Sequence, residues 1–172
     1  ELYNLYSKRE DLEVVLLSSV SRKLLSNNLI SGVDIDASDI DQLRMSSESL
    51  LQRFQAVSSS IQSNKKTLIL SDRSPMCDLA YTQLLSNVSA FTLYLAAEAV
   101  KVLKEVIFTV YFPPVIEFSD DGVRKSKSRF LVDQKILQIL EEFNISFLEL
   151  REISLISRKE RLSSIINSYF NF

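Results

Sequence analysis

Asp72 closes a short apolar run, Thr67–Leu70 (TLIL), and is followed by Arg73, Ser74 and Pro75. A carboxylate set just beyond a buried strand is placed to hold a nucleotide-bound Mg²⁺, through water. The same residues also suit a helix N-cap region, where Asp and Ser are common. A second group lies in Asp120-Asp121-Gly122-Val123-Arg124-Lys125-Ser126-Lys127-Ser128-Arg129, where four cations fall within six residues. Cations of this kind stabilise charge on a phosphoryl group in transfer and can close over it. At a helix start they oppose the macrodipole, an unfavourable arrangement unless an anion neutralises them. The alternative is a solvated loop. Arg22, in Ser18-Ser19-Val20-Ser21-Arg22, reads on its own as a surface arginine. Tyr81, in Leu79-Ala80-Tyr81-Thr82, suits a base or sugar contact as well as it suits the core. Cys77 reads as a small buried residue.

Composition narrows the chemistry further. The 172 residues contain no histidine, which excludes His-based triads and His metal sites. There are two glycines, Gly32 and Gly122, where average usage of about 7% would supply several times more. One cysteine excludes an internal disulfide and fits a reducing, cytoplasmic compartment. Formal net charge is −2, against a general nucleic-acid surface but not against a local basic site. The most apolar stretch, Ala90–Leu103, is interrupted by Thr92, Glu98 and Lys101, so no membrane span is expected. Apolar content of 46% over this length predicts one domain with a real core.

The elements that must position these residues alternate. Glu1–Lys8 reads as the end of a helix and Glu13–Leu17 (EVVLL) as a strand buried on both faces. Arg22–Asn27 begins a helical or turn segment. Ser38 with Asp41 opens a long helix whose apolar positions are Leu43, Leu50, Leu51, Phe54, Val57 and Ile61. Thr67–Leu70 is the second strand, and Ser74-Pro75 starts a helical region running to Leu103 with a break near Ser86–Ser89. Glu105–Phe112 is a third strand stopped by Pro113-Pro114. Arg129–Phe143 is helical, Ser146–Leu150 is a fourth strand, and Ser157 with Glu160 forms a capping box for the last helix. Strands separated by helices predict a mostly parallel sheet with helices on both faces. Ligands then bind beyond the carboxyl ends of the strands, after Leu17, Leu70, Phe112 and Leu150.

The segments SSVSR (18–22), SDRSP (71–75) with LAYT (79–82), Pro113-Pro114, DDGVR (120–124) and Arg161 occur in an order that resembles the AAA-type P-loop kinases. These include ribosylnicotinamide kinase domains and phage-type deoxynucleoside monophosphate kinases. The resemblance covers nearly the whole chain. It implies a three-layer α/β fold with a mostly parallel sheet, formed as a single domain over 1–172 with a basic lid at about 119–129. It implies transfer of the ATP γ-phosphate to a small nucleotide or nucleoside, with a deoxynucleoside monophosphate as the leading acceptor, and with ATP and Mg²⁺ as cofactors. Asp72 would be the catalytic-side acid and the Mg²⁺ holder. Arg22, Arg73 and Tyr81 would face the acceptor. Arg124 and Arg129 would act catalytically from the lid, supported by Lys125 and Lys127, with Arg161 near the nucleotide base or the root of the lid.

Three departures stand against the family pattern. No G-x-x-x-x-G-K-[ST] occurs in the chain, so the backbone cradle for phosphates and its lysine are missing. In the family this loop precedes the helix read at Glu1–Lys8, so the expectation is a chain lacking its N-terminal strand and Walker A loop. Many relatives carry Glu where Ser19 stands, and relatives often read DRSP-Leu-Asp where Cys77 holds the Asp position and Asp78 follows. Two other functions remain open: a non-catalytic binding or assembly module, and a kinase acting on a modified base in DNA. No membrane partner is expected, nucleic acid is disfavoured without being excluded, and a homodimer is left open.

Overall fold

A computed structural model describes residues 1–114, 129–152 and 154–171, with Asp34 by its main chain only. In chain order the described elements are α1 (Leu2–Tyr6), β1 (Leu12–Leu17), α2 (Val20–Ser26), a short 3₁₀ turn (Asp34–Asp36), α3 (Asp39–Gln62), β2 (Lys66–Ser71), α4 (Pro75–Leu84), α5 (Ala90–Leu103), β3 (Thr109–Tyr111), α6 (Arg129–Glu142), β4 (Phe147–Glu149) and α7 (Leu155–Phe170). None of the helices is long and apolar enough to cross a membrane among the described residues.

Local capping chemistry sets most helix starts. Ser38 Oγ accepts from Asp41 N at 3.1 Å. Ser74 Oγ accepts from Cys77 N at 3.3 Å, with Pro75 at the first helical position. Ser89 Oγ accepts from Thr92 N at 3.2 Å, so the expected break before α5 is present. Each bond satisfies an N–H that the first turn leaves without an intrahelical acceptor. The last helix differs from expectation. It begins at Leu155, and Ser154, not Ser157, is its cap, accepting from Ile156 N and Ser157 N. With those amides already satisfied one turn earlier, Ser157 lies inside the helix.

The strands pair in parallel, as expected, but as two separate pairs. β1 lies beside β2 in a register running from Leu12↔Lys66 to Leu17↔Ser71. β3 lies beside β4, from Thr109↔Phe147 to Tyr111↔Glu149. Among the described residues no ladder joins β2 to β3. The expected third strand also shrinks: the end of α5 runs on through Lys104 N→Val100 O and Val106 N→Leu103 O bonds, which consume the residues read as strand. The strands expected to be buried on both faces are half-open. In β1 only Leu12 is fully buried and Leu16 is 55% exposed, and Thr67–Leu70 are partly buried.

The main core lies between α4, α5 and α6, where Met76, Leu79, Ala80, Ala96, Val100, Val132, Ile139 and Leu140 pack together. A smaller cluster joins Leu24, Ile30, Ala37, Met45 and Leu85. In α3 the buried face is not the expected leucine stripe. Leu51, Phe54 and Ile61 are exposed, while Gln42, Met45, Ser46, Ser49, Arg53 and Ala56 are buried. The reason is that α4 offers α3 polar partners. Gln42 Nε2 donates to Thr82 Oγ1 at 2.9 Å and to Asp78 O at 3.2 Å. Buried polar groups are tolerated where such bonds form.

The last helix, α7, reaches both strand pairs. Lys66 Nζ at the start of β2 donates to Phe170 O at 3.0 Å. Tyr169 meets Phe108 edge-on just before β3, and Arg158 lies over the Phe112 ring just after it. Helix α7 therefore runs antiparallel to β3. Tyr6 of α1 fastens it further, its hydroxyl bonding Asn167 Oδ1 and Ser163 O.

Candidate functional site

Beyond the carboxyl ends of β1 and β2 lies a small cleft that opens to solvent. Its walls come from four places. The exit of β1 supplies Leu17, Ser18 and Ser19, continuing to Ser21. Helix α3 supplies Met45, Ser49, Gln52 and Arg53, the exit of β2 supplies Ser71, Asp72 and Arg73, and α4 supplies Asp78. This is where a parallel α/β arrangement places ligands, because the strand ends and the following helix starts diverge there.

The β2–α4 turn that carries Asp72 is held from several sides. Arg73 O accepts from Ser71 Oγ at 2.5 Å and from Arg53 Nη2 at 3.1 Å. The Arg73 guanidinium rests over the Tyr81 ring, 5.1 Å from its centroid, a cation–π contact. Ser74 caps α4 directly after it. Asp72 itself is exposed at the rim of the cleft.

Beneath the turn is an ion pair out of solvent. Arg53 Nη1 lies 3.1 Å from Asp78 Oδ2, and the two side chains are 8% and 13% exposed. Ser49 Oγ donates to the same Oδ2 at 2.8 Å and accepts from Arg53 Nη1. Burial raises the Asp78 carboxyl above the usual aspartate range, while Arg53 and Ser49 pull it back. Such a pair is stable as a pair and costly to break, since one partner alone leaves a buried charge.

Of the residues picked out from sequence, Asp72 and Arg73 meet in the cleft, and Tyr81 supports Arg73 from α4. Arg22 is exposed on α2, next to the cleft residue Ser21 but not among those lining it. Arg129 opens α6 and Arg161 is exposed on α7; neither lines the cleft. Arg124, Lys125 and Lys127 lie outside the described residues. Sequence reading missed Ser49, Gln52 and Arg53. Gln42, Ser46, Ser49 and Arg53 follow one another at spacings of four, three and four, a helical polar stripe that was there to be read.

Among the described residues no cluster of three or more acidic or cysteine side chains is positioned to hold a metal ion. Mg²⁺ is commonly bound by one or two carboxylates together with substrate phosphates and water, and Asp72 is the exposed carboxylate at the rim of the cleft. The residues present do not provide the Gly-rich cradle for a nucleotide's phosphates.

A family model described as AAA domain matches residues 6–158, most of the chain and all of the cleft. No curated protein matches it.

Proposed function

The chain belongs to the AAA domain family, and on that premise we propose that it is the body of a nucleotide kinase, transferring the ATP γ-phosphate to a small nucleotide or nucleoside, with a deoxynucleoside monophosphate as the leading acceptor. A P-loop nucleotide-binding role follows from the family; the transfer and its acceptor are our reading. The observation that carries it is the Asp72-Arg73 turn, clamped at the carboxyl edge of a parallel strand pair and facing a hydroxyl-lined cleft.

In this reading Asp72 would hold Mg²⁺, and the metal would supply charge neutralisation at the phosphates. Arg73 and the hydroxyls of Ser18, Ser19 and Ser71 hold the acceptor, and Tyr81 keeps Arg73 in place. Arg124 and Arg129, with Lys125 and Lys127, close over the phosphates, Arg22 faces the acceptor, and Arg161 serves the nucleotide base or the root of the lid. With a deoxynucleoside monophosphate, an ionised phosphate oxygen of the acceptor forms the new P–O bond as the bond to the departing ADP breaks; with a nucleoside, the hydroxyl proton leaves to water. Positioning and charge stabilisation carry such transfers, so the absence of histidine is no obstacle.

We place the phosphate-binding loop on a segment outside these 172 residues, its strand lying between β2 and β3. Three features support this: among the described residues the two parallel pairs are unjoined, α7 touches both, and the buried hydroxyls of Thr67 on β2 and Thr109 on β3 meet no hydrogen-bond partner. A second reading, a non-catalytic binding module, is favoured by the lack of any glycine-lysine loop within the chain and by Ser19 in place of a carboxylate.

The test uses the full-length protein, labelled ATP, Mg²⁺, and a panel of nucleosides and deoxynucleoside monophosphates. Transfer to one class of acceptor, abolished in a folded Asp72→Asn variant, supports the kinase. ATP binding without transfer to any acceptor supports the module.

A further inference from the structure

We infer that Arg53 is a positioning residue: it sets the Asp72-Arg73 turn from below, and the buried Asp78 is there to hold Arg53 in the geometry that does so. The inference rests on the kinase reading only for its kinetic consequence. Its structural content stands on the bonds themselves.

The guanidinium has two separate tasks. Nη1 is engaged by Asp78 Oδ2 and Ser49 Oγ, both within the α3–α4 seam. Nη2 points the other way and donates to Arg73 O at 3.1 Å. One planar group thus joins α3, α4 and the loop that follows β2. A guanidinium is suited to this because its donors are fixed in one fork, whereas an ammonium is a point charge that turns freely. Arg73 O also accepts from Ser71 Oγ, so the carbonyl directly after Asp72 is held from two directions. The seam below is ordered too: Gln42 bonds Asp78 O and Thr82 Oγ1, fixing the first turns of α4 against α3. A residue placed only to stabilise α3 against α4 would have no need of the third bond.

The consequence concerns reactivity more than fold. Removing Arg53 and Asp78 together, as Arg53→Met with Asp78→Leu, takes away both buried charges at once, and such exchanges are often neutral for stability. The turn, however, loses its anchor. Displacements on the order of 1 Å at a reacting group can cost about a hundredfold in rate.

The experiment compares the full wild-type chain with Arg53→Lys and with the double variant. The first readout needs no substrate: amide hydrogen exchange across residues 71–74. We expect it to speed up in the double variant at an unchanged melting temperature, and to speed up less in Arg53→Lys. Should the double variant destabilise the fold, Arg53→Lys carries the comparison, since it keeps a cation beside Asp78. The second readout is phosphoryl transfer, where kcat should fall about tenfold to a hundredfold in the double variant with KM for ATP little changed. Wild-type exchange at 71–74 in a folded double variant, or in Arg53→Lys where that carries the comparison, overturns the inference. So does wild-type kcat in the same variant. If the wild type itself transfers no phosphate, the kinase reading fails, and the exchange comparison still decides the role of Arg53.

Discussion

Replacing Arg53 by Met alone should be among the most damaging single changes in the α3–α4 seam, and its damage should depend on pH. Arg53 and Asp78 are 8% and 13% exposed, 3.1 Å apart, and share Ser49. Without the guanidinium, the carboxylate keeps one hydroxyl donor in a desolvated place. Breaking a buried pair from one side costs about 3–5 kcal/mol. For a chain of this size that corresponds to a melting temperature lower by about 6–20 °C. Removing both partners should recover most of this loss. Burial already raises the Asp78 carboxyl, and losing Arg53 removes the main influence opposing it. A carboxyl whose folded pKa lies above its unfolded value near 3.8 binds its proton more readily in the fold. Its stabilising contribution is complete below the unfolded value and is lost as pH rises through the folded one. The gap between Arg53→Met and the double variant should therefore be widest at about pH 8 and narrow towards pH 4. Urea denaturation of the full chain across that range is the assay. A gap that does not change with pH, or a single variant as stable as the double at pH 8, would refute a buried carboxylate in need of its counterion.

Three further outcomes are expected. Arg124→Ala and Arg129→Ala should each lower kcat more than they raise KM, and a pure KM effect in steady-state kinetics would remove them from the transition state. The Tyr111 hydroxyl donates to Asp133 Oδ1 at 2.6 Å, and burial followed by that carboxylate raises its pKa far beyond the usual phenol range. Tyr111→Phe should cost about 1.5–3 kcal/mol, and in an alkaline ultraviolet titration of the wild type one tyrosine should ionise only as the protein unfolds. At the start of α7, Ser154→Ala should cost about 1 kcal/mol in thermal melts and Ser157→Ala markedly less; the reverse order would restore the capping box read at Ser157.

Sequence alone determined what depends on neighbours along the chain. The apolar runs before Leu17 and Leu70 are strands, since a run of branched side chains bounded by polar residues packs no other way so briefly. Ser38, Ser74-Pro75 and the break before Ala90 are where helices begin, since caps act on amides within one turn. Asp72 at a carboxyl edge follows from those two facts. Tertiary structure decided what depends on residues far apart. Among the described residues the four strands pair two by two, because pairing depends on which edges meet, and no edge residue announces its partner. The face of α3 that is buried was legible as a periodicity but not as an orientation. A stripe of leucines looks inward until Asp78 and Thr82, thirty to forty positions away by about their separation on the chain, are known to offer bonds to Ser49 and Gln42. Arg53 is the sharpest case: read along the chain an arginine belongs in water, and only a carboxylate, a hydroxyl and a carbonyl converging from α3, α4 and the β2 turn make its burial affordable.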